Sequence, residues 1–265
     1  MITPEFQTIK PTGERHDLIL ERIDLQGHVT VRDLAQRLGV SEATIRRDLK
    51  HLSDRRQVEL VYGGATAARK LDQSLEARGQ RNIEAKRIIG DLAGALVRDH
   101  DMLYVDSGTT CFEMRHALKQ KRSLTLIANS TRLATELQLS PDASLIMLAG
   151  HYRHERMDTV GPLAVQSIDQ LRGYSAFIGA DGLSQDFGVS ASEMQTAYLY
   201  QHIIRNAKET ILLADHSKFS APSLFRIGGF ESVSTVVTDR DPGPDWQTFF
   251  SDQGIALVTP DSSQG

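Results

Sequence analysis

A short polar loop follows an apolar run of this sequence, and its residue types suit the binding of an anion. The loop is Asp106-Ser107-Gly108-Thr109-Thr110, directly after the run Met102–Val105. A glycine lets the backbone approach an anion, hydroxyls donate hydrogen bonds to it, and the free N–H groups of a following helix favour negative charge. We therefore expect a phosphate group to bind here. Because the same residue types also cap helices, a purely structural role is the alternative.

Further polar residues follow other apolar runs in the same way. The candidate ligand-binding residues among them are Asn129, Ser130, Gly150, Arg153, Asp181 and Lys218. The two cations can pair with a phosphate, and the carboxylates and the amide can accept hydrogen bonds from sugar hydroxyls. For each residue, a turn or cap is again the alternative.

A second group of residues near the N-terminus suits contact with DNA. Its members are Ser41, Thr44, Arg46, Arg47, Lys50 and His51. Arginine can contact guanine O6 and N7 through two parallel hydrogen bonds, while lysine and hydroxyl groups suit phosphates. The alternative is a solvated basic face that Asp48 neutralises.

The elements that would carry this basic face have the pattern of a helix-turn-helix. Apolar residues recur at helical spacing over residues 14–26, which predicts a first helix. Thr30 then caps a second helix with Asp33 three residues later, Gly39 makes a tight turn, and Ser41 caps a third helix. Two short helices joined by a glycine turn are typical of DNA-binding domains.

An extended run, a diglycine and a second extended run follow the third helix. The first run begins at Val58, and Gly63-Gly64 separates it from residues 65–69. This pattern predicts a small β-hairpin, a wing whose basic residues could touch the phosphate backbone. A linker strand is the alternative.

A polar connector over residues 71–82 divides a DNA-binding domain at 14–70 from a larger domain at 83–258. In the larger domain, short apolar runs alternate with amphipathic stretches. This predicts an α/β fold with a mainly parallel sheet covered by helices on both faces. Ligands of such sheets bind beyond the carboxyl ends of the strands, where the polar loops described above lie.

Composition and charge restrict the possible classes of protein. The net charge is −4, but residues 14–70 carry 11 lysines and arginines against 9 acidic residues, a local charge of +2. The single cysteine excludes an intramolecular disulfide, and the histidine pair His151 and His154 lacks the further ligands of a zinc site. No segment approaches the roughly 20 apolar residues of a membrane span. We expect a soluble cytoplasmic protein without metal or cofactor.

The motifs resemble those of the DeoR family of bacterial regulators. VTVRDLAQRLGVSEATIRRDLKHL followed by VYGGA is similar to its DNA-binding domain, and DSGTT, ANS, GADG and LADHSKF are similar to its phosphosugar-sensing domain. The resemblance implies a winged helix-turn-helix before a Rossmann-like domain related to ribose-5-phosphate isomerase. It also implies a repressor of a carbohydrate-catabolism operon, controlled by a phosphorylated sugar or polyol. One departure is Arg56, where the family usually has a glycine.

Two other functions compete with that of a regulator. A sugar-phosphate isomerase fused to a DNA-binding module could use Asp181 as an acid or base and Lys218 as a positioning cation. An architectural DNA-binding protein would need no ligand. The larger domain favours a regulator instead, and we expect two or more copies, a dimer or tetramer, to bind operator DNA at paired half-sites.

Overall fold

The computed structural model describes residues 12–26, 28–55, 57–61, 63–67, 75–137 and 139–264. The chain divides into two compact units, residues 1–73 and 74–265. Across the described parts, no helix is long and apolar enough to cross a membrane.

The first unit combines three helices with a small antiparallel sheet in the order β1-β3-β2. Its elements are α1 (Thr12–Gln26), β1 (His28–Thr30), α2 (Val31–Leu38), α3 (Glu42–Asp54), β2 (Val58–Val61) and β3 (Gly64–Ala67). Apolar side chains from all three helices form one core, with Ile19, Leu34 and Ile45 at most 1% exposed.

The predicted capping pattern of the helix-turn-helix is confirmed. Thr30 accepts a hydrogen bond from the Asp33 N–H at 3.2 Å, and Ser41 accepts one from the Thr44 N–H at 3.1 Å. Gly39 ends α2 with a φ of +65°, a conformation that glycine adopts without strain. The hairpin of β2 and β3 confirms the predicted wing, while the departure at Arg56 lies outside the described residues.

The second unit is built on a seven-stranded sheet, ordered β15-β14-β12-β9-β4-β5-β6, in which every pair of neighbours is parallel. The unit as a whole contains the strands β4 (Met102–Val105), β5 (Thr125–Ala128), β6 (Ser144–Met147), β7 (His151–Arg153), β8 (Asp158–Val160), β9 (Ser175–Gly179), β10 (Gly182–Ser184), β11 (Gly188–Ala191), β12 (Glu209–Leu213), β13 (Phe225–Gly228), β14 (Thr235–Val237) and β15 (Ala256–Val258). The parallel sheet confirms the predicted α/β fold.

Helices cover both faces of this sheet. The helices of this unit are α4 (Leu75–Gln80), α5 (Ile83–Ala95), α6 (Arg115–Leu118), α7 (Thr131–Glu136), α8 (Pro162–Asp169), α9 (Met194–Asn206) and α10 (Pro244–Asp252). Those from α5 to α10 contribute side chains to the two cores that lie against the sheet. Short 3-10 turns lie at Cys111–Met114, His216–Ser220, Phe230–Ser232 and Pro260–Gln264. Because successive strand residues point to opposite faces, Tyr104 packs in one core while Leu103 and Val105 pack in the other. Burial on both faces explains the continuous apolar runs.

Several features of this unit were not part of the prediction. The hairpin of β7 and β8 and the small sheet β10-β11-β13 both lie outside the main sheet. Beyond Asp239, strand β15 adds an edge strand to the sheet. The residues after Asp239 do predict a short helix through Trp246 and Phe250, and α10 is that helix, with both rings packed against Phe230. Residues 75–80 form α4 within the segment interpreted as a connector.

Candidate ligand site and DNA-binding face

The basic residues of α3 lie on its exposed face. Ser41, Arg46, Arg47, Lys50 and His51 are exposed, and Thr44 is half-buried. Arg46 pairs with Glu42 at 2.8 Å, whereas no ion-pair partner for Arg47 or Lys50 occurs among the described residues. This face can therefore present cations and hydroxyl groups to a DNA groove.

Asp48 points away from that face. It is 5% exposed and accepts hydrogen bonds from Arg15 at 2.6 and 2.9 Å, with His16 at 3.1 Å. Burial opposes its ionisation, but the hydrogen bonds from Arg15 and His16 outweigh burial and lower the pKa of Asp48. Asp48 thus holds α3 against α1 and does not neutralise the basic face.

In the second unit, the candidate loops meet at one edge of the sheet. They follow β4, β5, β9 and β12, which are neighbours in the order β12-β9-β4-β5 and run in parallel. Their carboxyl ends therefore share one edge, where parallel α/β sheets bind ligands.

Asp106 is buried beneath this edge, at 1% exposure. Its two carboxylate oxygens accept hydrogen bonds from the N–H groups of Gly108 and Gly179. Burial raises the pKa of Asp106, and these two N–H groups oppose that rise. A Cβ atom at position 108 would lie 2.6 Å from Asp106 Oδ1, so the loop requires glycine there. Asp106 shapes the loop from its buried side, and Thr109 and Thr110 are each 8% exposed.

Asn129, Ser130 and Gly150 are also engaged within the protein. Asn129 accepts from the Tyr104 hydroxyl at 2.9 Å and donates to the Thr159 carbonyl at 3.0 Å. Ser130 caps α7. Gly150 has a φ of +147°, and a Cβ atom there would lie 2.7 Å from the Val160 carbonyl oxygen. Their contacts hold the β7–β8 hairpin against the sheet.

Arg153 belongs to a buried ion-pair network. It donates to Asp158 at 2.8 and 2.6 Å and also contacts Glu193. Ser107 donates to the same Asp158 at 2.8 Å, and Arg156 pairs with Glu193 at 2.8 Å. The Arg153 guanidinium is therefore occupied by protein carboxylates, and it connects the hairpin to the loop after β4.

A second charged cluster surrounds the ends of β9 and β12. Asp181 accepts hydrogen bonds from the Ser192 N–H and hydroxyl at 2.8 and 2.7 Å and pairs with Arg78 at 3.4 Å. Burial opposes its ionisation, but the charges of Arg78 and Lys218 help to lower the pKa of Asp181. On the neighbouring strand end, Asn82 donates to Asp215 at 3.1 Å.

Lys86, on α5, completes this cluster. It is 5% exposed, and its Nζ donates to the carbonyl oxygens of Arg78 and Arg81 at 2.5 and 2.6 Å. Burial lowers its pKa to about 8, with further lowering by Lys218 and the two arginines and an opposing effect of Asp215. No carboxylate of the described residues lies within ion-pairing distance of Lys86.

The sequence interpretation missed Arg78, Asn82, Lys86, Asp158 and Glu193. A signal for Lys86 was present, because it occupies the buried stripe of α5 that continues through Ile89 and Ala93. A lysine on an apolar stripe is unusual unless its charge is paired or used. We refer to Arg78, Lys86, Asp181, Asp215 and Lys218 as the strand-end cluster. Within the described ranges, no group of three or more His, Cys, Asp or Glu side chains could hold a metal ion.

Comparison with known protein families agrees with both halves of this architecture. Residues 15–70 match the DeoR-like helix-turn-helix domain, and residues 81–240, more than half of the chain, match the DeoR C-terminal sensor domain. The chain belongs to the DeoR family.

Curated relatives of this DeoR-family protein are transcription regulators. The regulator FruR of Bacillus subtilis is 28% identical and covers 87% of this chain and 92% of its own length. The glycerol-3-phosphate regulon repressor of Escherichia coli is 26% identical, and the match covers 92% of this chain and 97% of the repressor. The chain is accordingly a DNA-binding transcription regulator, and the isomerase alternative gains no support from these relatives. A ribose-5-phosphate isomerase from Methanocaldococcus jannaschii is similar at 19% identity and a TM-score of 0.38, covering 52% of this chain and 55% of its own.

Proposed function

We propose that this regulator represses a carbohydrate-catabolism operon and that a phosphorylated sugar or polyol, bound at the strand-end cluster, controls it. The name of the Escherichia coli relative, a glycerol-3-phosphate regulon repressor, supports this class of effector. The cations and hydroxyl groups at the carboxyl edge of the sheet provide a site of suitable chemistry.

The observation that carries this proposal is the buried charge of Lys86. A cation that is removed from water without a counter-ion is costly, and its lowered pKa reflects that cost. An anionic group bound beside it would supply the missing negative charge. Lys218, which lies close enough to influence Lys86 electrostatically, would contribute a second cation.

We further propose that the exposed face of α3 binds double-stranded operator DNA. In this proposal Arg46 and Arg47 contact base edges, and Lys50 and the hydroxyl groups contact phosphates. Because one reader helix contacts few bases, we propose a homo-oligomer whose paired helices bind symmetric half-sites. We propose that the exposed apolar side chains Leu163 of α8 and Met194 and Tyr198 of α9 contribute to such assembly. We also place the protein in the cytoplasm, where prokaryotic DNA lies.

A thermal-shift screen tests the effector. The full-length protein should be stabilised by at least one sugar or polyol phosphate, with a shift that grows with ligand concentration, but not by the parent sugar. Lys218→Met should weaken the response, while Lys208→Met, which changes an exposed lysine, should not. The absence of stabilisation across the panel would contradict the proposal.

A further inference from the structure

Helix α4 is the first described element of the second unit, and residues 68–74 connect it covalently to the described residues of the DNA-binding unit. None of its six residues is buried. Apolar burial therefore contributes little to keeping this helix in place, and its position depends largely on polar contacts.

Three polar contacts of α4 and the turn after it lead to the strand-end cluster. Arg78 on α4 pairs with Asp181 after β9, and Lys86 holds the carbonyl oxygens at the end of α4. In the following turn, Asn82 has a φ of +53° and donates to Asp215 after β12. The position of α4 thus depends on residues that lie where a ligand is expected.

An anion bound in this cluster would compete with Asp181. Arg78 and Lys218 both act electrostatically on the Asp181 carboxylate. A second negative group near these cations would take over part of that attraction. The Arg78–Asp181 contact is 3.4 Å long, whereas strong charge-assisted hydrogen bonds are about 2.7–2.9 Å. A better-placed anion can therefore replace Asp181 as the partner of Arg78.

We infer that α4 transmits ligand binding to the DNA-binding unit and that the Arg78–Asp181 ion pair is the contact that the ligand changes. The inference rests on the proposed function, because it gives the bound anion a route to the reader helix. Arg78 acts here as a positioning residue. Breaking the ion pair by substitution should imitate the ligand, even in its absence.

The test compares full-length variants for affinity to the DNA duplex that the wild-type protein selects from a random pool. Arg78→Gln and Asp181→Asn each remove the ion pair, and the double variant removes the same contact from both sides. Arg87→Gln is the matched control, since it breaks only an exposed pair with Glu84. Circular dichroism checks that each variant unfolds at the wild-type temperature.

Without ligand, both single variants should change the affinity for the duplex in the same direction, by about 5-fold or more. The double variant should change it no further than the larger single effect, because one contact is lost. Inorganic phosphate should shift the wild-type affinity in that direction and the variants less. Arg87→Gln should behave as wild type.

Wild-type affinity in both single variants, or effects that multiply in the double variant, would overturn the inference. Failure of the proposed function has a different signature, in which no phosphate compound stabilises the wild-type protein or changes its affinity for DNA. The comparison without ligand decides the role of the ion pair in that case as well.

Discussion

Asp106 stabilises the loop after β4 through the N–H groups of Gly108 and Gly179, which it binds from a buried position. Asp106→Ala removes both acceptors, and each half-buried donor left without a partner costs up to about 1–3 kcal/mol. We expect the free energy of unfolding to fall by about 2–5 kcal/mol, as measured by urea denaturation.

The matched control for Asp106 is Asp186→Ala. The Asp186 carboxylate accepts from Ser184 in an exposed turn, so its loss should leave the urea midpoint of the protein unchanged. Equal midpoints for Asp106→Ala and the wild type would show that Asp106 does not organise the loop.

We expect Lys86 to make ligand affinity depend on pH. Its pKa is lowered to about 8 in the ligand-free protein, and an anion bound beside it would favour the protonated form. Binding above pH 8 then requires proton uptake, so affinity should fall by up to about tenfold per pH unit. Below pH 8 the Lys86 ammonium group is already charged, so it adds no further pH dependence to the ligand affinity. Calorimetric titration of the stabilising sugar phosphate between about pH 7 and about pH 9.5 measures the slope.

Lys86→Met should bind the same ligand more weakly and lose this slope, whereas Lys208→Met should keep the wild-type profile. The charges that face Lys86 are those of Asp215, Lys218 and the two arginines of the α4 turn. A flat wild-type profile over this range would contradict the placement of the anion beside Lys86.

At the scale of elements, the contact of α1 with α3 depends on the buried pair of Arg15 and Asp48. Removing one partner of a buried ion pair leaves the other uncompensated, which costs about 3–5 kcal/mol. In Asp48→Ala we expect the amides of both helices to exchange faster, because their free energy of protection falls by about 3–5 kcal/mol. Glu42→Ala, which removes an exposed pair with Arg46, should change exchange by less than about 1 kcal/mol. Wild-type protection of α1 and α3 in Asp48→Ala would contradict this role.

The exposed face of α3 gives a prediction for DNA recognition. Arg47→Ala should weaken the free energy of binding to the selected duplex by about 1–3 kcal/mol, because a base contact is lost. Its binding to a scrambled duplex should change little. Competition titrations against both duplexes measure the difference. Arg37→Ala, which changes an exposed arginine of α2, is the control. A similar loss on the scrambled duplex would show that Arg47 contacts only the phosphate backbone.

The sequence was sufficient for elements whose signals are local. Thr30, Gly39 and Ser41 carry their capping and turn chemistry within three residues, so the helix-turn-helix could be predicted from them. The buried strands were equally visible, since parallel strands covered on both faces read as continuous apolar runs. Helix α4 was missed because it has no buried stripe.

The partners of charged residues were beyond the reach of sequence patterns. Arg153 follows a strand and has the chemistry of a phosphate ligand, yet Asp158 and Glu193 occupy its guanidinium. Glu193 is distant in sequence, and no local pattern connects it with Arg153. The same holds for Arg78 and Asp181, whose contact spans 103 positions.

At the scale of the whole molecule, DNA binding and ligand binding must be linked. A ligand that changes the affinity for DNA has its own affinity changed by DNA by the same factor. The local charge of +2 over residues 14–70, within a chain of net charge −4, favours DNA binding by the first unit.

The central claim is that one molecule both reads DNA and responds to a phosphorylated sugar or polyol. Fluorescence anisotropy titration of the selected duplex, with and without the stabilising sugar phosphate, tests it most directly. We predict that the ligand weakens binding by about 5- to 150-fold and that Lys218→Met loses this response while retaining affinity for DNA. Tight binding to the selected duplex that no sugar or polyol phosphate changes would contradict the account.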